Sequence, residues 1–215
     1  MGRRKKEPRS AHRAKIAAAA SELFLERGTA AVTMDEIARA AGYSKATLYV
    51  YFENKEEIVC LLTLESMQTL HGCISAALAG AETVEAGYEG ICRELVRYQR
   101  EHPLYFRMAL ERIDVSFENC DVLPEERETW QVGEAVNAQL GNFLRAGMAR
   151  GALREDLEII PTILLFWGMM SGLIQLAASK EPYIAQAAGL SQEQFLERGF
   201  RMLYRSIARK TEVTA

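Results

Sequence analysis

An all-α fold follows from three observations on the sequence. Apolar residues recur three and four positions apart through nearly the whole chain. No stretch sustains strand-type alternation. Capping and stopping residues punctuate the chain every few turns. With only 5 Pro and 15 Gly in 215 residues, little room is left for long loops.

The elements can be taken in order. Ile16, Ala20, Leu23 and Phe24 form one apolar stripe, and Gly28 is a natural stop, so residues 10–27 are the first predicted helix. Thr33, with Glu36 three residues on, has the form of a capping box, and Gly42 closes a short helix over 34–41. Ser44 caps a third over 45–52, and Asn54 a long one over 55–79. Residues 83–102 form a helix stopped before Pro103, which starts a shorter one to about 113. Residues 114–123 read as loop. A long helix follows over 124–150, ended by Gly151, then a charge-free one over 161–179. Ser191 caps a last helix to about 209.

The overall charge of −3 hides an uneven distribution. Residues 1–60 hold 11 basic and 8 acidic side chains, net +3, and seven of the bases (Arg3, Arg4, Lys5, Lys6, Arg9, Arg13, Lys15) lie in the first fifteen positions against Glu7. The rest of the chain therefore carries −6. A basic head on an acidic body suits a polyanion binder with a second task, although a solvated tail fits the charge alone. Four cysteines (60, 73, 92, 120) have no metal or redox spacing, and charged residues run into alanines at the start with no apolar signal core. Free thiols and a cytoplasmic location are the expectation. The 161–179 segment is at the short end of a membrane span, but Thr162, Ser171 and Gln175 interrupt it, and a buried helix fits as well.

Two short helices joined at Gly42, after a longer amphipathic one, make a helix-turn-helix pattern. Ile37, Leu48 and Phe52 point inward, so Lys45, Ala46, Thr47, Tyr49, Val50 and Tyr51 are split between core and outer face. Outward tyrosines can donate to phosphate with their rings on sugar, and Lys55 can meet a second phosphate. Lys45 is placed to reach a guanine edge, while Thr47 and Val50 can touch a thymine methyl. Thr33 and Ser44 lie at helix starts, where phosphate contacts form. An aromatic core patch is the competing reading of Tyr49 and Tyr51.

The stretch VTMDEIARAAGYSKATLYVYFENKEEIV resembles the DNA-binding head of the TetR family of bacterial transcriptional regulators. The shared features are T-x-x-x-I-A-x-x-A-G-x-S, T-L-Y-x-Y-F and N-K-E, within residues 14–62. The resemblance implies a homodimer on a palindromic double-stranded operator and a C-terminal helical domain that binds a small effector. It also places Lys45, Thr47, Tyr49, Tyr51 and Lys55 on DNA-contacting positions. Val50 and Glu53 depart from the family pattern and bear on the operator sequence.

The expected organisation is a helix-turn-helix DNA-binding domain with a basic arm over 1–55 and a larger helical ligand-binding and dimerisation domain over 56–215. Within the latter, His102, Tyr105, Phe106, Phe117, Trp130, Phe143, Trp167, Met170 and Gln175 are candidates for an apolar effector pocket, with ordinary core packing as the alternative for each. Gly168 and Gly172, four apart, let two 161–179 helices approach. With Phe195 and Met202 they are candidates for a dimer face, intrachain packing being the alternative. Scattered His12, His71 and His102 and the absence of phosphate-loop or nucleophile motifs argue against an enzyme, a metal site or a cofactor. A repressor released by a small apolar effector is the expected function. A membrane-associated helical adaptor and a small helical enzyme are its rivals.

Overall fold

The computed structural model describes residues 7–111 and 123–209. Among them the chain forms α1 (Arg9–Arg27), α2 (Met34–Ala41), α3 (Lys45–Tyr51), α4 (Lys55–Leu78), α5 (Val84–Glu101), α6 (Pro103–Glu111), α7 (Pro124–Ala149), α8 (Ile159–Ser179), α9 (Glu181–Ala188) and α10 (Gln192–Ile207). The only β pairing among the described residues is one isolated bridge, Leu153 with Ala208. The expected loop over 114–123 lies, except for Leu123, outside the described residues.

Helix boundaries follow the local chemistry. Thr33 and Glu36 form the expected box: Glu36 N–H donates to Thr33 Oγ1 (3.4 Å), and Thr33 N–H donates to Glu36 Oε2 (2.8 Å). Gly42 adopts φ +74°, a left-handed conformation open to Gly at little steric cost, and Tyr43 N–H then reaches back to Ala38 O at 2.8 Å. Ser44, Asn54 and Ser191 accept from the backbone N–H of Thr47, Glu57 and Gln194 respectively. Helix ends fall within two residues of expectation, and two differences have a local cause. Helix α8 begins two residues before Pro161, because a first-turn proline forfeits no intrahelical bond. Helix α9 is additional to the expected elements, although Pro182 in its first turn and Gly189 (φ +64°) at its end bracket it.

Contacts divide the chain into two compact units: Met1–Gln68 with His102–Gln131, and Thr69–Glu101 with Val132–Ala215. Helices α4 and α7 each contribute to both.

In the first unit, α1, α2 and α3 close around Ile16, Ala20, Phe24, Ile37, Leu48 and Phe52, all at most 1% exposed, joined by Ile58 and Leu62 of α4 and by Leu104 and Met108 of α6. Leu48 and Phe52 share one face at i, i+4 spacing, so four of the seven α3 residues are turned to solvent. Arg13 ties the elements together. Its guanidinium lies 4.2 Å from the centre of the Phe52 ring, donates to Tyr51 O (3.0 Å), and pairs with Glu125 (2.6 Å) in the first turn of α7.

In the second unit, Val84, Leu144, Leu153, Ile163 and Ile207 form the core. Two glycines permit close helix contact: a Cβ on Gly90 would lie 2.8 Å from Ala77 O, and one on Gly199 would lie 2.4 Å from the Leu173 side chain. The Leu153–Ala208 bridge, with Arg154 N–H on Ile207 O and Arg209 N–H on Ala152 O, fastens the end of α10 to the turn after α7.

Helices α4 and α8 are both long and apolar enough to cross a membrane by length and composition. Half of the α4 window is buried inside the protein, against 22% of the α8 window. Leu164, Leu165 and Met169 of α8, 61%, 64% and 41% exposed, leave an apolar face uncovered.

Candidate nucleic-acid interface and apolar pocket

The outward face of α3 is made by Lys45, Ala46, Tyr49 and Val50, with Tyr49 44% and Val50 61% exposed. These positions are spaced i, i+1, i+4, i+5 and so occupy one side of the helix. Thr47 is half-buried, its hydroxyl 2.7 Å from that of Ser44. Lys45 pairs across to Asp35 of α2 at 2.7 Å, and this hydrogen bond with its charge attraction raises the lysine pKa. Both side chains are more than half exposed, so the pair is weak and can open to a competing anion. Thr33, exposed at the start of α2, is engaged in the capping box.

Tyr51 is not an outward residue in the sense expected. It is half-buried, stacked on His12 (centroids 5.0 Å apart, 27° between planes) and packed against the first core. His12 Nδ1 lies 2.6 Å from Tyr43 Oη, and Lys15 Nζ lies 5.1 Å from the Tyr43 ring centre. Burial, and secondarily the Tyr51 and Glu7 charges, push the Tyr43 hydroxyl pKa up. Sequence reasoning did not single out Tyr43 or His12. The Y-S pair straight after Gly42 was the available signal.

Lys55 also stands differently. It is half-buried, and its Nζ donates to Thr29 O (2.7 Å) and Val32 O (2.9 Å), two carbonyls of the α1–α2 connection. That use occupies two of its three donors. Lys55→Met is expected to destabilise the first unit by about 1–2 kcal/mol through the unpaired carbonyls. A lower melting midpoint without DNA would register this; a variant that melts like the parent and only binds DNA less well would restore the phosphate role. Glu36, bonded to Arg27 and to the Thr33 backbone and hydroxyl, has its carboxyl held down to about 2.

In the second unit a pocket of about 540 Å³, counting its mouth, is lined by Ile74, Tyr88, Ile91, Leu95, Leu140, Phe143, Leu144, Thr162, Ile163, Phe166, Trp167, Met170 and Ile207. Of the expected ligand residues it brings together Phe143, Trp167 and Met170. His102, Tyr105, Phe106 and Trp130 belong to the first unit and do not line it. Tyr105 stacks on His102 and donates its hydroxyl to Glu65 (2.7 Å), and Phe106 is core. Gln175 is exposed on α8 outside the lining. Phe117 lies outside the described residues. Tyr88, missed in the sequence, is central: its ring meets Phe166 edge-on and lies 5.0 Å from Tyr204, and its hydroxyl donates to Phe200 O at 2.9 Å. Burial raises the Tyr88 pKa far above the usual phenol range.

Gly168 and Gly172 face open space, with no atom within 4 Å of an added Cβ. Met202 is 72% exposed and Phe195 half-buried.

A capped two-helix head presenting one exposed face, in a chain with a separate helical unit, defines a helix-turn-helix DNA-binding regulator. Residues 16–60 match the family described as bacterial regulatory proteins, tetR family. The chain is 36% identical over 184 residues to the HTH-type transcriptional regulator TtgR of Pseudomonas putida, spanning 81% of this chain and 84% of that one. It is 29% identical over 162 residues to the HTH-type transcriptional repressor KstR2 of Rhodococcus jostii, spanning 70% and 72%. Among solved structures it is similar to the ketosteroid transcriptional regulator KstR2 of Mycobacterium tuberculosis (TM-score 0.68, 16% identity, 96% and 98% covered). It is also similar to the fatty acid degradation regulator FadR of Bacillus halodurans (TM-score 0.67, 18% identity, 94% and 97% covered). The chain belongs to the TetR family of transcriptional regulators. It is a DNA-binding regulator and not an enzyme.

Proposed function

We propose that this protein is a homodimeric repressor that leaves a palindromic operator when a small apolar effector fills the pocket. Residues 1–55 form the DNA-binding domain, with Lys45, Ala46, Tyr49 and Val50 entering the major groove and Thr33, Ser44 and Thr47 meeting the backbone. Residues 56–215 form the ligand-binding and dimerisation domain. Helices α8 and α10 pair with their copies through Gly168, Gly172, Met202 and Phe195.

The observation that carries this reading is the double use of α8. Its inner face supplies Thr162, Ile163, Phe166, Trp167 and Met170 to the pocket, while Leu164, Leu165 and Met169 stand uncovered on its outer face. A ligand that repacks the inner face therefore acts on the helix that joins two copies. Pocket residue Ile74 and first-core residues Ile58 and Leu62 share helix α4. A ligand with different affinity for two head spacings shifts the population between them. Two major-groove half-sites about 34 Å apart accept only one such spacing.

Light scattering on the full chain should give twice the mass of 24.1 kDa. Gly172→Leu should give a monomer that still melts cooperatively and no longer binds a genomic DNA fragment selected by the parent. A Gly172→Leu protein that stays dimeric would remove α8 from the interface.

A further inference from the structure

We propose that the pocket selects uncharged aromatic molecules bearing a single hydrogen-bonding group directed at Thr162, and rejects ionised carboxylates. The proposal rests on the pocket being the effector site and names the ligand class that site accepts.

The chemistry of the wall decides the class. None of the thirteen lining residues is charged. A carboxylate taken in would lose its hydration with no cation to replace it, a penalty that excludes it unless it picks up a proton. Hydrogen-bonding capacity is nearly absent as well. The Tyr88 hydroxyl is already committed to Phe200 O. Apart from the Trp167 indole N–H, which can only donate, the Thr162 side chain is the remaining polar group in the lining. One hydroxyl on the ligand can both donate and accept there, whereas a second could at most accept from the Trp167 N–H and would leave its own hydrogen unpaired. Four rings, Tyr88, Phe143, Phe166 and Trp167, contribute to the wall. Ring faces and edges offer a planar aromatic guest offset and edge-on contacts that an alkyl chain cannot match.

The test is calorimetric titration of the full-length protein at neutral pH with three probes: 4-phenylphenol, 4-phenylbenzoate on the same two-ring skeleton, and decanoate. The phenol is expected to bind saturably and at least roughly tenfold more tightly than either carboxylate. Leu144→Trp, which fills the pocket, should abolish binding. Thr162→Val, nearly isosteric, should weaken the phenol by about three- to tenfold, and remains informative if the tryptophan variant does not fold. A preference below tenfold, a carboxylate that binds more tightly, or no saturable phenol binding overturns the proposal. An unchanged affinity in Thr162→Val overturns the role of Thr162. Phenol binding that leaves the DNA complex intact supports the ligand class and counts instead against the pocket as effector site.

Discussion

Lys45→Glu is expected to reduce operator affinity by on the order of 100-fold or more while leaving the melting temperature nearly unchanged. Lys45 sits in the first turn of α3 beside exposed Ala46, Tyr49 and Val50, and its side chain is 60% exposed. Its partner Asp35 is 53% exposed, so the pair contributes little to folding. In the complex the lysine is expected to exchange Asp35 for a base edge or phosphate. The glutamate would remove that contact and set a negative charge beside Asp35 on the exposed face of α3. A dimer carries the substitution twice. Fluorescence anisotropy on the selected DNA fragment, with a thermal melt of the free protein, separates the two effects. A variant that binds within threefold of the parent would show that α3 docks by another face.

Gly90→Val should produce the largest stability loss of any single substitution considered, about 3 kcal/mol or more. A Cβ at Gly90 would stand 2.8 Å from the Ala77 carbonyl oxygen, a backbone atom that cannot rotate away. Two further methyls leave α4 and α5 no option but to separate. Because Ile91 and Leu95 on α5 and Ile74 on α4 line the pocket, separation also changes its width. Urea unfolding followed by circular dichroism would show the loss as a lower midpoint. A Gly90→Val protein as stable as the parent would mean that the two helices are not in backbone contact there.

The head was legible because its signals are local. A threonine and a glutamate three apart, a glycine at a left-handed position and an i, i+4 apolar pair each act within one or two turns, so the sequence determines α2 and α3 to within a residue. The pocket was not legible because it is assembled from five helices. Residue type marked Phe143, Trp167 and Met170, which line the pocket, but it marked His102, Tyr105 and Phe106 just as strongly, and the fold places those in the other unit. Leu140, Ile163 and Ile207 are ordinary aliphatics whose role depends on which side of a helix faces a gap. The hydrogen bonds of Lys55 were not legible for a similar reason. Its position beside α3 was visible, whereas the two orphan carbonyls of Thr29 and Val32 that compete for it lie more than twenty residues away.

One chain leaves the outer side of α8 wet, with Leu164 and Leu165 largely in water. Where two copies cover that side for each other, the fraction of molecules able to grip both half-sites follows mass action. On the proposed dimeric reading, copy number is expected to act beside the effector, so that at low abundance scarcity alone would empty the operator.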